Sequence, residues 1–214
     1  MKKEDIKILI ACEESQTIAN AFRARGFEAY SCDLQECSGG HPEYHIQDDA
    51  LEAVERKEWT LIIAHPPCTY LANSGNRWFH DPRFPNRYED REEAVEFFMK
   101  FTQVKCPHVA IENPIGCMSR IYRKPDQIIN PFQFGEPYRK PTCLWLKGLP
   151  LLKPTNIVDE GEKIITKSGK TMPKWYSDAF ALSPEERQKV RSKTFQGIAD
   201  AIAEQWGDFL LYEV

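Results

Sequence analysis

No run of apolar residues in this chain approaches the length that spans a bilayer, so a membrane-crossing helix is not expected. A secretory leader is not expected either, because Met1-Lys-Lys-Glu-Asp leads at once into a strand-like run instead of an apolar segment. Surplus positive charge is absent: 28 Lys and Arg face 32 Asp and Glu, for a net charge of −4. Binding to a polyanion through overall charge is thereby disfavoured, and only local basic patches could serve it. Internal repeats and low-complexity tracts are also lacking. The seven cysteines are odd in number and scattered, which argues for reduced thiols over a disulfide framework. A cytoplasmic protein is the expectation.

What is present is an ordinary globular composition, 42% hydrophobic and 28% charged in 214 residues, enough for one domain over 1–214 with a full sheet-and-helix core. Lys7-Ile-Leu-Ile10 reads as a strand, and Thr17 to Arg25 as a helix with Ile18, Ala21 and Phe22 on one face and Gly26 as its stop. Phe27 to Cys32 reads as a second strand, closed by Asp33. Strand, loop, helix, strand, acid is the order of a mononucleotide-binding half, in which the acid holds ribose hydroxyls. Glu92 to Phe101 reads as an amphipathic helix.

The most pointed segment is Leu61-Ile-Ile-Ala64, a doubly covered strand by its composition, running into Pro66-Pro67-Cys68. Two prolines fix φ at successive residues and remove two donors, so the turn that presents Cys68 is stiff. A second strand-like run, His108-Val-Ala-Ile111, ends in Glu112-Asn113-Pro114. Taken singly, Cys68 reads more often as a buried small hydrophobe than as a nucleophile, and Glu-Asn-Pro reads simply as a turn. Together, at two strand ends, a thiol and a carboxylate can meet over one pocket, where ligands of open α/β sheets bind.

These residues resemble the DNA cytosine C5-methyltransferases, and most nearly the short phage and prophage proteins described as DNA cytosine methyltransferase-like. Pro67-Cys68 falls on the family's Pro-Cys motif, Glu112-Asn113 on its Glu-Asn-Val motif with Pro114 in place of valine, and Ser74-Gly75 resembles its Ser-x-x-Gly. The resemblance implies a Rossmann-like α/β fold of the class I S-adenosylmethionine-dependent type, with a mostly parallel sheet and helices on both faces. It implies Cys68 as nucleophile and Glu112 as the acid at the base, with Pro67, Ser74 and Asn113 at the substrate. S-adenosylmethionine would lie along Cys12, Glu13, Glu14 and Ser15, with Asp33 and Leu34 at the ribose, Asp49 at the adenine and Pro66 beside it. Asp49 reads alternatively as a helix N-cap. The first loop, Ala11 to Gln16, carries no glycine where most of the family is glycine-rich.

Tyr138-Arg-Lys-Pro resembles the family's Gln-x-Arg-x-Arg segment, which makes Arg139 a catalytic candidate at the base or its phosphate and Lys140 a substrate contact. Arg120, Arg123 and Lys124 extend this basic, aromatic-interleaved stretch. Residues 77–91 read either as a lid over an extruded base or as a packed connection. A polar insert over about 153–177, with turn signals at Asp159-Glu-Gly and Lys167-Ser-Gly-Lys170, is the only room for base readout, so a partner protein that supplies recognition is compatible with it. Ser183-Pro-Glu-Glu opens a capped helix, and Lys193 to Trp206 resembles the helix that returns to the cofactor. Cys32, Cys37, His41 and His45 have near-zinc spacing, but the first reads more simply as packed in a strand, and no metal is expected.

DNA is therefore the expected substrate and methylation at C5 of cytosine the expected reaction. Open beside it stand an N4-cytosine or N6-adenine amino-methyltransferase, suggested by His65-Pro-Pro with Tyr70, C5 modification of free nucleotides, and a module that holds cofactor or DNA without catalysis.

Overall fold

The computed structural model of the chain describes residues 1–166 and 169–212. Its elements in chain order are β1 (Lys7–Ala11), α1 (Thr17–Ala24), β2 (Glu28–Asp33), β3 (His45–Gln47), α2 (Ala50–Glu55), β4 (Leu61–Ala64), α3 (Arg87–Thr102), β5 (His108–Pro114), α4 (Met118–Ile121), β6 (Gln127–Ile129), β7 (Thr142–Lys147), β8 (Lys163–Ile165), β9 (Thr171–Pro173), α5 (Lys174–Asp178), α6 (Pro184–Ser192) and α7 (Gln196–Tyr212). Seven strands form one sheet in the order β3-β2-β1-β4-β5-β7-β6. β1 to β5 run parallel, and β7 is antiparallel to both β5 and β6.

The central strands are apolar on both faces because both faces are covered. Ile8 and Ile10 of β1 turn toward Ile18 and Phe22 of α1 and Ile202 and Trp206 of α7. Leu9 and Ala11 turn the other way, toward Ala53 of α2 and Phe98 and Phe101 of α3. This is the Rossmann-like α/β arrangement expected, with helices on both faces.

Two features of the sheet position the site. β5 outruns β4: Ala64 is the last residue of β4 and faces Ile111, whereas Glu112, Asn113 and Pro114 continue in register with Leu144, Cys143 and Thr142 of β7. The Glu-Asn-Pro segment is thus strand and not turn. Because β7 is antiparallel, its first residue, Thr142, lies at the edge where the parallel strands end, and residues 139–141 arrive there with it.

Several boundaries differ from expectation. α3 begins at Arg87, five residues before the helix read from the sequence, because Arg87 and Arg91 are anchored from the helix to the loop that follows β4. The polar insert does contain a hairpin, β8 with β9; of its expected turn, Lys167 and Ser168 lie outside the described residues. Asp159-Glu-Gly is instead a local turn, with Gly161 at φ +83° and its N–H donating to Asp159 Oδ1. Ser183 and Glu186 form a reciprocal capping box at α6. Among the described residues no helix is long and apolar enough to cross a membrane.

Candidate functional site

The carboxyl edge of the sheet collects the loops after β1, β2, β4 and β5 together with the segment before β7. Pairing of β4 with β5 at a constant offset of 47 residues sets His65 opposite Glu112 and Pro66 opposite Asn113. Both pairs bond: His65 Nδ1 lies 2.9 Å from Glu112 Oε2, and Asn113 Nδ2 donates to the Pro66 carbonyl at 2.7 Å. The backbone N–H of His65 also donates to Ala11 O, extending the β1–β4 ladder by one bond. The strand therefore enters Pro66-Pro67-Cys68 from a fixed position.

The loop beyond is held from two further sides. Leu71 and Ala72 donate to the Cys68 carbonyl, Cys117 N–H donates to Leu71 O, and Asn73 N–H donates to Ile115 O. Gly116 sits against this crossing, where an added Cβ would come 2.1 Å from Leu71 O. From α3, buried Arg87 donates to Thr69 O and Arg91 to Tyr70 O and Asn76 Oδ1. Arg91 also stacks 3.8 Å from the centre of the Phe79 ring, and Phe79 packs on Tyr88. Of the two readings of residues 77–91, these contacts favour the packed connection. Pro67, next in the chain to Cys68, and Ser74 are exposed.

Charge at this edge is concentrated on four side chains. Burial works against a charged His65, yet the bond and charge of Glu112, with Glu13 behind it, raise the imidazole above its ordinary value while Lys140 opposes. Burial likewise pushes Glu112 up, but His65 and Lys140 outweigh it and hold the carboxyl below its usual range. Cys68 is raised by burial and by the Glu112 charge, and Lys140 pulls it down. Burial lowers Lys140, which Glu112 and Cys68 partly restore. A thiol, an imidazole, a carboxylate and an amine thus face one another across the ends of β4, β5 and β7. His65, Glu112 and Lys140 open on a small cavity closed by Ile18, Thr194 and Phe195.

The structure brings Lys140, and not Arg139, to the Glu112 carboxylate. Arg139 is 54% exposed and pairs with Glu160 at 3.4 Å, out on the insert. Lys140 donates to Lys193 O, and its ammonium lies 5.6 Å from the centre of the Phe195 ring, which packs with Tyr138 and Trp175. The expected basic stretch is dispersed in the same way, for Arg123 is engaged bidentately by Asp126.

At the ends of β1 and β2 the expected cofactor residues fall into two sets. Cys12, Asp33 and Asp49 face one another; burial, then the charges of Asp33 and Asp49, push the Cys12 thiol far up. Leu34 beside them is 73% exposed. Glu13, by contrast, is buried, and its two oxygens accept the N–H groups of Ile18 and Ala19 at 2.7 and 3.2 Å. It caps α1, whose Gln16 N-cap contributes no side-chain bond. Glu14 accepts Ser38 N–H through its backbone, and Ser15 bonds the Thr17 hydroxyl. Asp49 caps α2 by accepting Leu51 N–H at 2.7 Å. The glycine-free loop achieves its shape with Cys12 at φ +61° and Gln16 at φ +55°.

Of the residues with zinc-like spacing, Cys32, His41 and His45 are engaged separately, His41 by Glu43. Cys32 is buried in β2 and donates to Asp48 O, while both ring nitrogens of His45 lie on Ser31 and Gln35. Among the described residues, no group of three or more His, Cys, Asp or Glu is arranged to hold a metal ion.

The sequence reading used His65 only for the amino-methyltransferase alternative and did not pair it with Glu112. The signal for that pairing was present: constant register between two parallel strands pairs whatever follows Ala64 with whatever follows Ile111.

The sheet and its helices define a Rossmann-like α/β fold, a mostly parallel seven-stranded sheet covered by helices on both faces. Among solved structures, this chain is similar to a prophage-encoded E. coli protein described as a candidate DNA modification methyltransferase, at 15% identity and a TM-score of 0.46, over 72% of this chain and 52% of that one. The chain thus spans about half the length of that protein. No family model and no curated protein matches it.

Proposed function

We propose that this protein is an S-adenosylmethionine-dependent DNA methyltransferase that modifies cytosine at C5 through a covalent adduct with Cys68. The observation that carries this reading is the convergence of Cys68, Glu112 and Lys140 at one strand edge, next to the cluster of Cys12, Asp33 and Asp49. The second cluster fits an adenosine-bearing cofactor: Asp33 ends β2 where ribose hydroxyls are held in this fold, and exposed Leu34 offers a face for the purine. Asp49 and the loop of Cys12, Glu14 and Ser15 would border it, and Pro66 would close it. When bound, the cofactor supplies the methyl group.

The chain's own residues do the rest. Carbon 5 of cytosine becomes nucleophilic only when a thiolate adds to carbon 6. Cys68 sulfur forms that bond, the ring electrons move toward N3, and N3 takes up a proton from the Glu112 side; once C5 is methylated its hydrogen leaves as a proton to water and the C6–S bond breaks, which frees the thiolate. Glu112 lies at the Watson–Crick edge to bind the exocyclic amine and N3. Lys140 stabilises the thiolate that burial disfavours. Asn113 fixes the Pro66 carbonyl and hence the entry to the nucleophile turn. Pro67 and Ser74 border the base, and Arg139, paired with Glu160 of the insert, meets the DNA backbone.

DNA carrying 5-fluorocytosine tests this reading, because fluorine at C5 blocks the release of the adduct. The wild type with cofactor should form a denaturation-stable complex, and Cys68→Ala should form none. Trapping that persists without Cys68 removes it as nucleophile. Methylation at full rate by Cys68→Ser would instead support an amino-methyltransferase, and trapping of the free nucleotide in preference to DNA would change the substrate.

A further inference from the structure

His65 is held through both its backbone and its ring at this edge, and the reaction described above gives it no task. Its backbone is tied to β1, its Nδ1 to Glu112 Oε2, and its side chain is 13% exposed. Its other ring nitrogen, Nε2, is buried without a hydrogen-bond partner among the described residues. A buried polar atom left unpaired costs free energy, so retention of imidazole here calls for a reason beyond packing. The Glu112 carboxylate supplies one. A lone carboxylate at 23% exposure facing an apolar cavity would favour its neutral form; a partnered one is held charged and in a single orientation.

We propose that His65 is a positioning residue for Glu112: the imidazole holds Oε2, leaves Oε1 as the oxygen that meets the target base, and stores the proton that the His65–Glu112 pair delivers. The inference rests on the cytosine reading of the site. The balance is simple. The resting pair is imidazolium and carboxylate, with one proton between two basic groups. As Cys68 sulfur bonds carbon 6, the ring π electrons shift to N3; the Nδ1 proton of His65 passes to Oε2, the neutral carboxyl so formed turns about its Cγ–Cδ bond, and that same proton passes from it to N3. The pair is left as neutral imidazole and carboxylate, and elimination of sulfur returns the proton along the same route.

The charged and titratable groups that face this pair come from every element around it. Glu13 of the loop after β1 favours the imidazolium, while Lys140 before β7 opposes it and favours the carboxylate. Cys68 after β4 and Cys143 on β7 both feel the Glu112 charge, as thiols held neutral. Of these, Glu112 alone bonds the ring. Because the folded imidazole lies above its ordinary value, its proton is present at low pH and is lost as pH rises through that raised value.

Two measurements test the proposal. In the first, the histidine ring resonances are followed by NMR against pH, with the His65 signal identified by its loss in His65→Gln. In Glu112→Gln the His65 midpoint should fall below that of a free imidazole, since burial is then unopposed by the carboxylate. A midpoint unchanged by Glu112→Gln overturns the pair whatever the protein's substrate. In the second, single-turnover adduct formation on 5-fluorocytosine DNA is measured against pH. Glutamine at position 65 can still donate to Glu112 but stores no proton, so the alkaline limb should move to lower pH by about one unit or more. An unshifted limb would leave His65 a merely structural clamp and sink the proposal. Absence of any adduct in the wild type would refute the cytosine reading, with the resonance measurement still deciding the pair.

Discussion

At the residue scale, burial is the first influence on Cys68, and two neighbours of opposite sign adjust its reactivity from there. Lys140 pulls its thiol down and Glu112 pushes it up, so their variants should move it in opposite directions. Lys140→Met should slow alkylation of Cys68 at pH 8 by about threefold or more, and Glu112→Gln should speed it, since the thiolate is the reactive form. Arg139→Ala should leave the rate within about twofold, because exposed charges are screened by solvent and salt. Peptide-resolved mass spectrometry of timed alkylation separates Cys68 from the six other cysteines. A larger effect from Arg139 than from Lys140 would mean that the wrong cation has been brought to the site. The distinction between the two was not legible in the sequence. Adjacent residues of an extended segment point to opposite sides, and which side faces Glu112 depends on the register of β7, fixed by pairing with β5.

At the element scale, β1 and β4 were legible because a short, doubly buried strand has one physical signature, an apolar run. β4 was read to the residue. The end of β5 was not, since Glu112, Asn113 and Pro114 are polar or unable to donate, and only a ladder to β7 makes them strand. The same limit hid the pairing of His65 with Glu112, which lies 47 residues away. The crossing of the Cys68 loop over residues 115–117 offers a direct test of how far this scaffold sets reactivity. Gly116→Ala must displace Leu71 O, three residues beyond the nucleophile. Adduct formation should fall by roughly tenfold or more, as small misplacements of reacting groups are costly. The circular dichroism spectrum should be nearly unchanged. Wild-type adduct rates in this variant would show that the loop takes its position from α3 alone.

At the scale of the whole molecule, one strand edge carries both candidate sites, while the small β8–β9 hairpin and α5 stand beside it. Trp175 of α5 packs on Tyr138 and Phe195, next to Lys140. So small a unit can place few side chains in a groove, and affinity for DNA should come mainly from phosphate contacts. Replacing residues 163–173 by a short glycine-serine linker should leave cofactor binding intact, weaken DNA binding and flatten its dependence on salt. Filter binding across a salt series measures this; an unchanged slope would place the DNA surface elsewhere.

The loop after β1 adds a last consequence. Two side-chain-bearing residues, Cys12 and Gln16, occupy left-handed backbone that glycine would adopt freely, each at a cost on the order of 1 kcal/mol. Strain of this kind persists only where surrounding contacts over-determine it, and here Glu13 on α1 and Gln16 on the His41 backbone provide them. A glycine loop would be a flexible hand that closes on its guest. This one is a cast mould, whose entropy was lost when the chain folded, so that a ligand arriving there meets a shape it has no need to induce.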